Sequence, residues 1–292
     1  MKKIAILGCE NSHANAFIKC IQTMEEFSQI QVYGVYSNDP AASEKLANTY
    51  GVPVLQDYAD AVGKVDGVVI TARHGDNHLK YAKPYLDCGI PMFIDKPITV
   101  SEADAIELMT QLKSRNIPVT GGSSLRHDPL IRQLKQQEAQ QEGGYTVGGI
   151  VRAPLSTDNI YGGFFFYSQH LVEMVCEIFG RNPNAVQVSI DANQNRTVLF
   201  HYNTFTVTGL YTEGGNEYYA ARFALNGSQG GLIPATGSKD WYYGEFKEYA
   251  DVLFGAEQPM SYRDLAAPVF ILNAIHRASI SGNIEPIRNS GL

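Results

Sequence analysis

The chain has 292 residues, more than a single hydrophobic core usually holds, so two domains are expected. An apolar share of 44% and a charged share of 18% suit a globular fold, while a net charge of −7 without any Lys or Arg run argues against nucleic acid or an anionic membrane surface as partner. No stretch is long and apolar enough for a membrane helix, and Cys9, Cys20, Cys88 and Cys176 form no metal-type pair, which predicts reduced thiols, no metal site and a cytoplasmic protein.

Residues 3–7 are apolar and end at Gly8. They read as a first strand rather than a targeting segment, because Glu10, Asn11, Ser12 and His13 follow at once. From Ser12 a helix is expected, with Ala14, Phe17, Ile18 and Ile21 on one stripe. Residues 31–36 form a second strand, and 41–50 a helix stopped by Gly51. A β-branched strand covers 65–72, a helix 77–88 closes at Gly89, and a strand covers 91–94. Ser101 caps a helix over 101–116, and another strand begins at 118–120. Near-continuous apolar strands alternating with helices predict a parallel sheet covered on both faces.

After Gly121 and Gly122 the pattern changes. A polar-faced helix is expected at 128–141 and a glycine-rich turn region at 143–149. Four β-rich runs follow at 186–190, 197–202, 204–211 and 218–225, separated by turns such as that at 213–216. Helices at 244–254 and 261–281 finish the chain. The expected class is therefore α/β, with a doubly wound parallel sheet over residues 1–123 and an α+β domain over 124–292 carrying an open, mostly antiparallel sheet. Such a sheet, apolar on alternating faces, predicts a homodimer or homotetramer that covers one of them.

A strand turning at Gly8 into a helix is the geometry of a dinucleotide-phosphate site, since the helix N-terminus offers N–H groups and a positive dipole end. Gly8, Asn11 and Ser12 are the candidates there. Glu10 stands near where a second glycine would let phosphate approach, and its charge is wrong for phosphate unless it turns away. An ordinary strand–helix turn accounts for these residues equally well. The second strand ends at Tyr36-Ser37-Asn38-Asp39. Ser37 holds the place of the carboxylate that usually grips the adenosine ribose, with Asn38 beside it, and no Arg follows to bind a 2′-phosphate. Asp39 either reaches the ribose or caps the next helix. NAD and NADP both stay open. Two further strand ends carry chemistry: Thr71, His74 and His78 in the first, and Asp95-Lys96-Pro97 in the second. Both lie at carboxyl ends of predicted parallel strands, where open α/β sheets bind ligands. A lysine after a buried strand can donate to a substrate hydroxyl, whereas the bland alternative is a surface lysine.

Together these residues resemble the Gfo/Idh/MocA oxidoreductase family. Asp95-Lys96-Pro97 is similar to its Glu-Lys-Pro signature with Asp for Glu, and Thr71 with His78 loosely resembles its Thr-Pro…His pattern. Arg126 with Pro129 resembles the segment that opens its second domain, and Gly162-Gly163 with His170 the catalytic helix. The resemblance implies a Rossmann domain binding NAD or NADP, and hydride transfer at a hydroxyl-bearing carbon of a sugar or polyol. It implies Lys96 as the residue positioning that hydroxyl and His170 as general base. Arg126, Tyr161, Tyr167 and Glu173 are candidates for the substrate side, with Glu173 able to orient the imidazole from one helical turn away. The family's Asp, four residues before the histidine, is Phe166 here. Phe166 and the missing glycine keep two alternatives open: a non-catalytic dinucleotide- or sugar-binding protein, and an NAD-using lyase or hydrolase.

Overall fold

Strand β1 (Lys2–Leu7) buries its apolar run completely from Ile4 onward, and its neighbours on either side are β2 (Ile30–Tyr36) and β3 (Gly67–Ile70). Two more parallel strands, β4 (Met92–Asp95) and β5 (Val119–Gly122), complete a sheet of order β2-β1-β3-β4-β5. Outside β2, Val54 makes a single parallel bridge to Val35, a vestigial sixth strand. The chain therefore leaves β1 in one direction and returns on its other side. This strand-order reversal places the usual ligand-binding crevice at the carboxyl ends of β1 and β3.

The connecting helices are α1 (Ser12–Thr23), α2 (Pro40–Tyr50), α3 (Asp76–Ala82) and α4 (Glu102–Ser114). Each of α1, α2 and α4 begins at a side-chain cap, Asn11, Asp39 and Ser101 in turn, which satisfies a backbone donor the helix cannot. Asp39, one of the two readings for ribose, thus acts as the α2 cap. The helix expected at 77–88 is α3 followed by a tighter turn over Lys83–Cys88, because Pro84 removes a backbone donor and disfavours helical geometry before it.

The structure, a computed structural model, describes residues 1–214, 217–234 and 239–292, without the side chains of Lys239 and Asp240. The turn expected at 213–216 lies partly outside the described residues. The chain divides into two compact units. The first is Met1–Gly122 with Tyr242–Leu265 and Leu292; the second is Ser123–Trp241 with Ala266–Gly291. A boundary after residue 123 does not anticipate that Tyr242–Leu265 packs with the N-terminal sheet. There Phe246, Tyr249 and Leu253 join Phe17, Phe27 and Phe93 in one core. Phe17 lies 5.1 Å from both Phe93 and Phe246, centroid to centroid.

The second unit holds α5 (Pro129–Ala139), β6 (Thr146–Pro154), α6 (Phe164–Phe179), β7 (Ala185–Ile190) and β8 (Arg196–His201). It continues with β9 (Thr206–Thr212), β10 (Tyr218–Ala224) and β11 (Gly227–Ile233), and closes with β12 (Glu285–Pro286). Its sheet has the order β11-β10-β6-β9-β8-β7-β12 and is antiparallel except between β6 and β9. Helix α7 (Lys239–Leu253) begins, and α8 (Tyr262–Ser281) ends, in this unit.

Two strands here escape sequence patterning because they are glycine-rich. The turn region expected at 143–149 instead runs into β6, and a Cβ on Gly149 would come within 2.2 Å of the Phe179 ring. That glycine lets α6 lie close on the sheet. In β11, a Cβ on Gly230 would meet the Ala220 carbonyl oxygen at 2.4 Å.

Candidate functional site

Gly8 sets the geometry of the first turn. Its φ is +78°, a conformation that glycine adopts without strain, and a Cβ there would strike the Ala72 backbone at 2.4 Å. Its carbonyl accepts a 3.1 Å hydrogen bond from Thr71 Oγ1. The turn is thereby pressed against the end of β3, and α1 starts immediately after with Asn11 Oδ1 accepting from the Ser12 N–H at 2.7 Å.

Beneath this turn lies a group of buried charges. Asn11 Nδ2 donates to Asp95 Oδ2 at 2.7 Å, and the Lys96 N–H donates to Asp95 Oδ1 at 2.7 Å. His13 Nδ1 stands 3.2 Å from the same Asp95 oxygen, while its Nε2 stands 3.3 Å from Glu245 Oε2 on α7. Asp95 is wholly buried, and His13, Glu245 and Lys96 are at most 4% exposed. Neither His13 nitrogen makes a hydrogen bond at these distances; both contacts are close approaches of a buried ring to carboxylate oxygens. Burial, with Lys96 nearby, pushes the His13 pKa well below its ordinary value, so the ring is neutral. Burial raises the Asp95 pKa to about 7 against the opposing pull of Lys96. Burial also lowers the pKa of Lys96, and the Asp95 and Glu245 carboxylates oppose that shift.

His13, Asp95 and Glu245 bring ligand-type atoms within 4.8 Å of one another. The ring, however, turns a different nitrogen to each carboxylate, so the three do not face a common point, and Lys96 adds a positive charge beside them. The arrangement is a buried cluster of close histidine–carboxylate contacts rather than a cation cup.

Several residues expected against a cofactor have other occupations. Thr71 and His78 are wholly buried, and Asp95 is beneath the turn. His78 Nδ1 lies 2.7 Å from the Pro97 carbonyl oxygen and Nε2 2.8 Å from that of Ala72, tying the two strand-end loops together. Pro97 is buried in the same tie. Ser12 and Asn38 stay exposed, Asn38 Oδ1 accepting from the Tyr36 hydroxyl at 2.8 Å. His74, 3.7 Å from Asp76, is partly open. Glu10 answers the question of its charge by turning sideways. Its Oε2 accepts from Ser37 Oγ at 2.6 Å and its Oε1 from the Arg73 N–H at 3.0 Å.

In the second unit, His170 on α6 is 7% exposed, and its Nδ1 is 2.6 Å from Ser123 Oγ. Glu173, expected to orient that imidazole, turns instead to Arg181 at 3.4 Å and accepts from Gln169 at 3.3 Å. One helical turn is not enough to aim a carboxylate when a guanidinium competes for it in a buried setting. Arg126 is likewise drawn inward, with Nε 3.2 Å from Glu177 Oε1. Tyr161, Phe166, Tyr167 and His170 form a ladder of rings with successive centroid distances of 5.0, 5.0 and 5.2 Å. Sequence reasoning missed His13, Ser123 and Glu245. His13 stands where a third glycine of a dinucleotide turn would fall, which is the one local signal; Glu245 has none, being brought in by tertiary packing alone.

Residues 2–122 match a family model described as the oxidoreductase family with an NAD-binding Rossmann fold, GFO_IDH_MocA. Among curated proteins, this chain is 28% identical over 141 residues to the uncharacterized oxidoreductase YhhX of Escherichia coli (strain K12), covering 44% of this chain and 39% of that one. It is 23% identical over 168 residues to oxidoreductase P35 of Formosa agariphila, covering 51% and 52%. The chain thus spans about half the length, or less, of these curated relatives. Solved structures of the same fold include scyllo-inositol dehydrogenase from Lactobacillus casei with bound NAD(H) and scyllo-inositol, with TM-score 0.84, 17% identity and 98% and 99% coverage. Myo-inositol dehydrogenase from Corynebacterium glutamicum ATCC 13032 has TM-score 0.83, 14% identity and 99% coverage of both chains. The likeness shows the fold of the whole chain, a Rossmann-type parallel sheet followed by a mostly antiparallel one. No helix among the described residues is long and apolar enough to cross a membrane.

Proposed function

We propose that this protein is an NAD(P)-dependent oxidoreductase that moves hydride between the nicotinamide and a hydroxyl-bearing carbon of a sugar or polyol. The observation that carries this reading is Lys96, buried at the carboxyl end of β4 with Asp95 as its neighbour, at the edge where doubly wound sheets bind ligands. The first turn fits a dinucleotide: Gly8 has the required positive φ, and α1 begins directly behind it. Gly8, Ser12 and Ser37 would hold its phosphate and ribose end. When bound, the nicotinamide cofactor supplies the hydride acceptor or donor. The inositol dehydrogenases of the same fold support a polyol as substrate class.

Lys96 carries a charge balanced by Asp95 and Glu245 and depressed by burial, so it is suited to donate to an alcohol oxygen and hold it in place. The Ser123 hydroxyl engages His170 Nδ1, and we assign Nε2 the proton of the reacting hydroxyl. Tyr161 and Tyr167 offer ring faces for a sugar. Phe166, packed between those two rings where the family has an Asp, favours a second reading in which the fold binds dinucleotide and sugar without turnover. We also propose a cytoplasmic location and, because Leu232 and Leu225 are 64% and 55% exposed at the β10–β11 edge, a homodimer or homotetramer. The test is NAD(P)H fluorescence titration together with a screen of inositols and sugars for cofactor reduction. Turnover establishes the enzyme, binding without turnover the second reading, and absence of binding overturns both.

A further inference from the structure

We propose that Glu10 selects NAD against NADP, supplying from the first turn the carboxylate that the end of β2 lacks. The inference rests on the dinucleotide-binding reading above. In a doubly wound dinucleotide domain, the acid that accepts from the adenosine ribose belongs to the end of the second strand, and its charge excludes a 2′-phosphate. That position is Ser37 here, a residue without charge. The structure nonetheless brings a carboxylate to the same place. Ser37 Oγ donates to Glu10 Oε2 at 2.6 Å and accepts from the Asp39 N–H at 3.0 Å, so the serine acts as a fixed holder for the acid. The Arg73 N–H, from the loop after β3, donates to the other Glu10 oxygen at 3.0 Å.

The carboxylate is thus pinned from both sides across the carboxyl ends of β2, β1 and β3, the strands that flank the reversal of sheet order. Glu10 is only half-buried, and each carboxylate oxygen has a second lone pair beyond the bond described. A vicinal diol donates two hydroxyl protons and matches that pair. A phosphomonoester offers acceptors and negative charge, and meets repulsion at an acid that its two donors keep from swinging away. The same position explains why a glutamate is tolerated where a glycine would admit phosphate: its side chain leaves the turn sideways, toward β2, instead of rising over the helix start.

The experiment is fluorescence titration of the full-length protein with NADH and with NADPH, for the natural chain and for Glu10→Gln, which keeps the side-chain shape and removes the charge. Circular dichroism melting verifies that the variant is folded. The expected result is that the natural chain prefers NADH by about tenfold or more, and that Glu10→Gln narrows this preference by about tenfold, chiefly through tighter NADPH binding. Glu10→Ala, losing both charge and diol acceptor, should weaken NADH binding as well. An equal affinity for the two nucleotides in the natural chain, or an unchanged ratio in Glu10→Gln, overturns the proposal. A gain for both nucleotides alike in the variants also overturns it, showing that Glu10 obstructs the site. Binding of neither nucleotide by any of the three proteins removes the dinucleotide reading itself.

Discussion

Lys96 and Asp95 are adjacent in sequence yet face opposite problems of charge. Burial works against the ammonium of one and the carboxylate of the other, and each is the other's partial remedy. Replacing Lys96 with Ala should lower turnover by about a hundredfold or more while leaving cofactor affinity within a few-fold, as steady-state rates beside fluorescence titration would reveal. His170→Ala should lower turnover to a similar degree. Asp95 makes a separate prediction about pH. Its folded pKa of about 7 lies above the unfolded carboxyl value of 3.8. Its contribution to stability is therefore complete below about pH 3.8 and lost as pH rises through about 7. Asp95→Asn should remove that slope, on the order of 1–3 kcal/mol, in urea unfolding compared at pH 5 and pH 8. If the two proteins keep the same pH dependence, the proton does not reside in this cluster. Lys96 was legible in the sequence because an Asp-Lys-Pro step after an apolar strand is rare and strongly placed. The cluster around His13 was not, since one of its members, Glu245, is far away in the chain and comes beside the ring only when α7 packs on α1.

At the level of elements, the strands and helices of the parallel sheet follow from local rules: apolar runs, side-chain caps and Gly51 or Gly89 in left-handed geometry at the ends. What defeated local reading was glycine used for close approach. Gly148 and Gly149 look like a turn, but Gly149 sits inside β6 beneath Phe179. Gly149→Ala should cost about 1–3 kcal/mol in thermal or urea unfolding, because the new methyl must displace a ring already packed in the second core. The same change at Gly89, where a Cβ would meet nothing within 4 Å, carries only the strain of its positive φ of +64° and should cost less. Equal losses at the two sites would contradict the packing explanation. The aromatic ladder from Tyr161 to His170 is a similar case: the residues are visible as a run, but only their ring contacts show that Phe166 serves packing between two tyrosines.

At the scale of the molecule, the second unit is held by a buried ion network centred on Glu177, which accepts from Lys135 at 2.6 Å and from Arg126 at 3.2 Å and pairs with Arg181. Burial alone would raise its pKa, and the three cations outweigh it, holding it at about 2 against an ordinary 4.5. The sign follows from the depressed value: the stabilisation is complete above about pH 4.5 and disappears as pH falls toward 2. Glu177→Gln should therefore lose on the order of 3–5 kcal/mol near neutrality, where it removes the carboxylate charge from beside the buried Arg126 and Arg181, and should show a flatter acid limb in melts recorded from pH 5 to pH 2. An unchanged melting temperature at pH 7 would place the strength of this unit elsewhere.

The discontinuous make-up of the first unit bears on how the protein is made. Its sheet is complete in the nascent chain at Gly122, yet Phe246, Tyr249 and Glu245 emerge only after most of the second unit. At ~5–20 residues per second, several seconds or more separate the two events. During that interval the face that receives α7 is bare, and His13 has Asp95 but not Glu245 beside it. The sheet of the first unit is thus made well before the segment that completes its core. A stop codon placed before Tyr242 should yield a first domain that exposes apolar surface and aggregates.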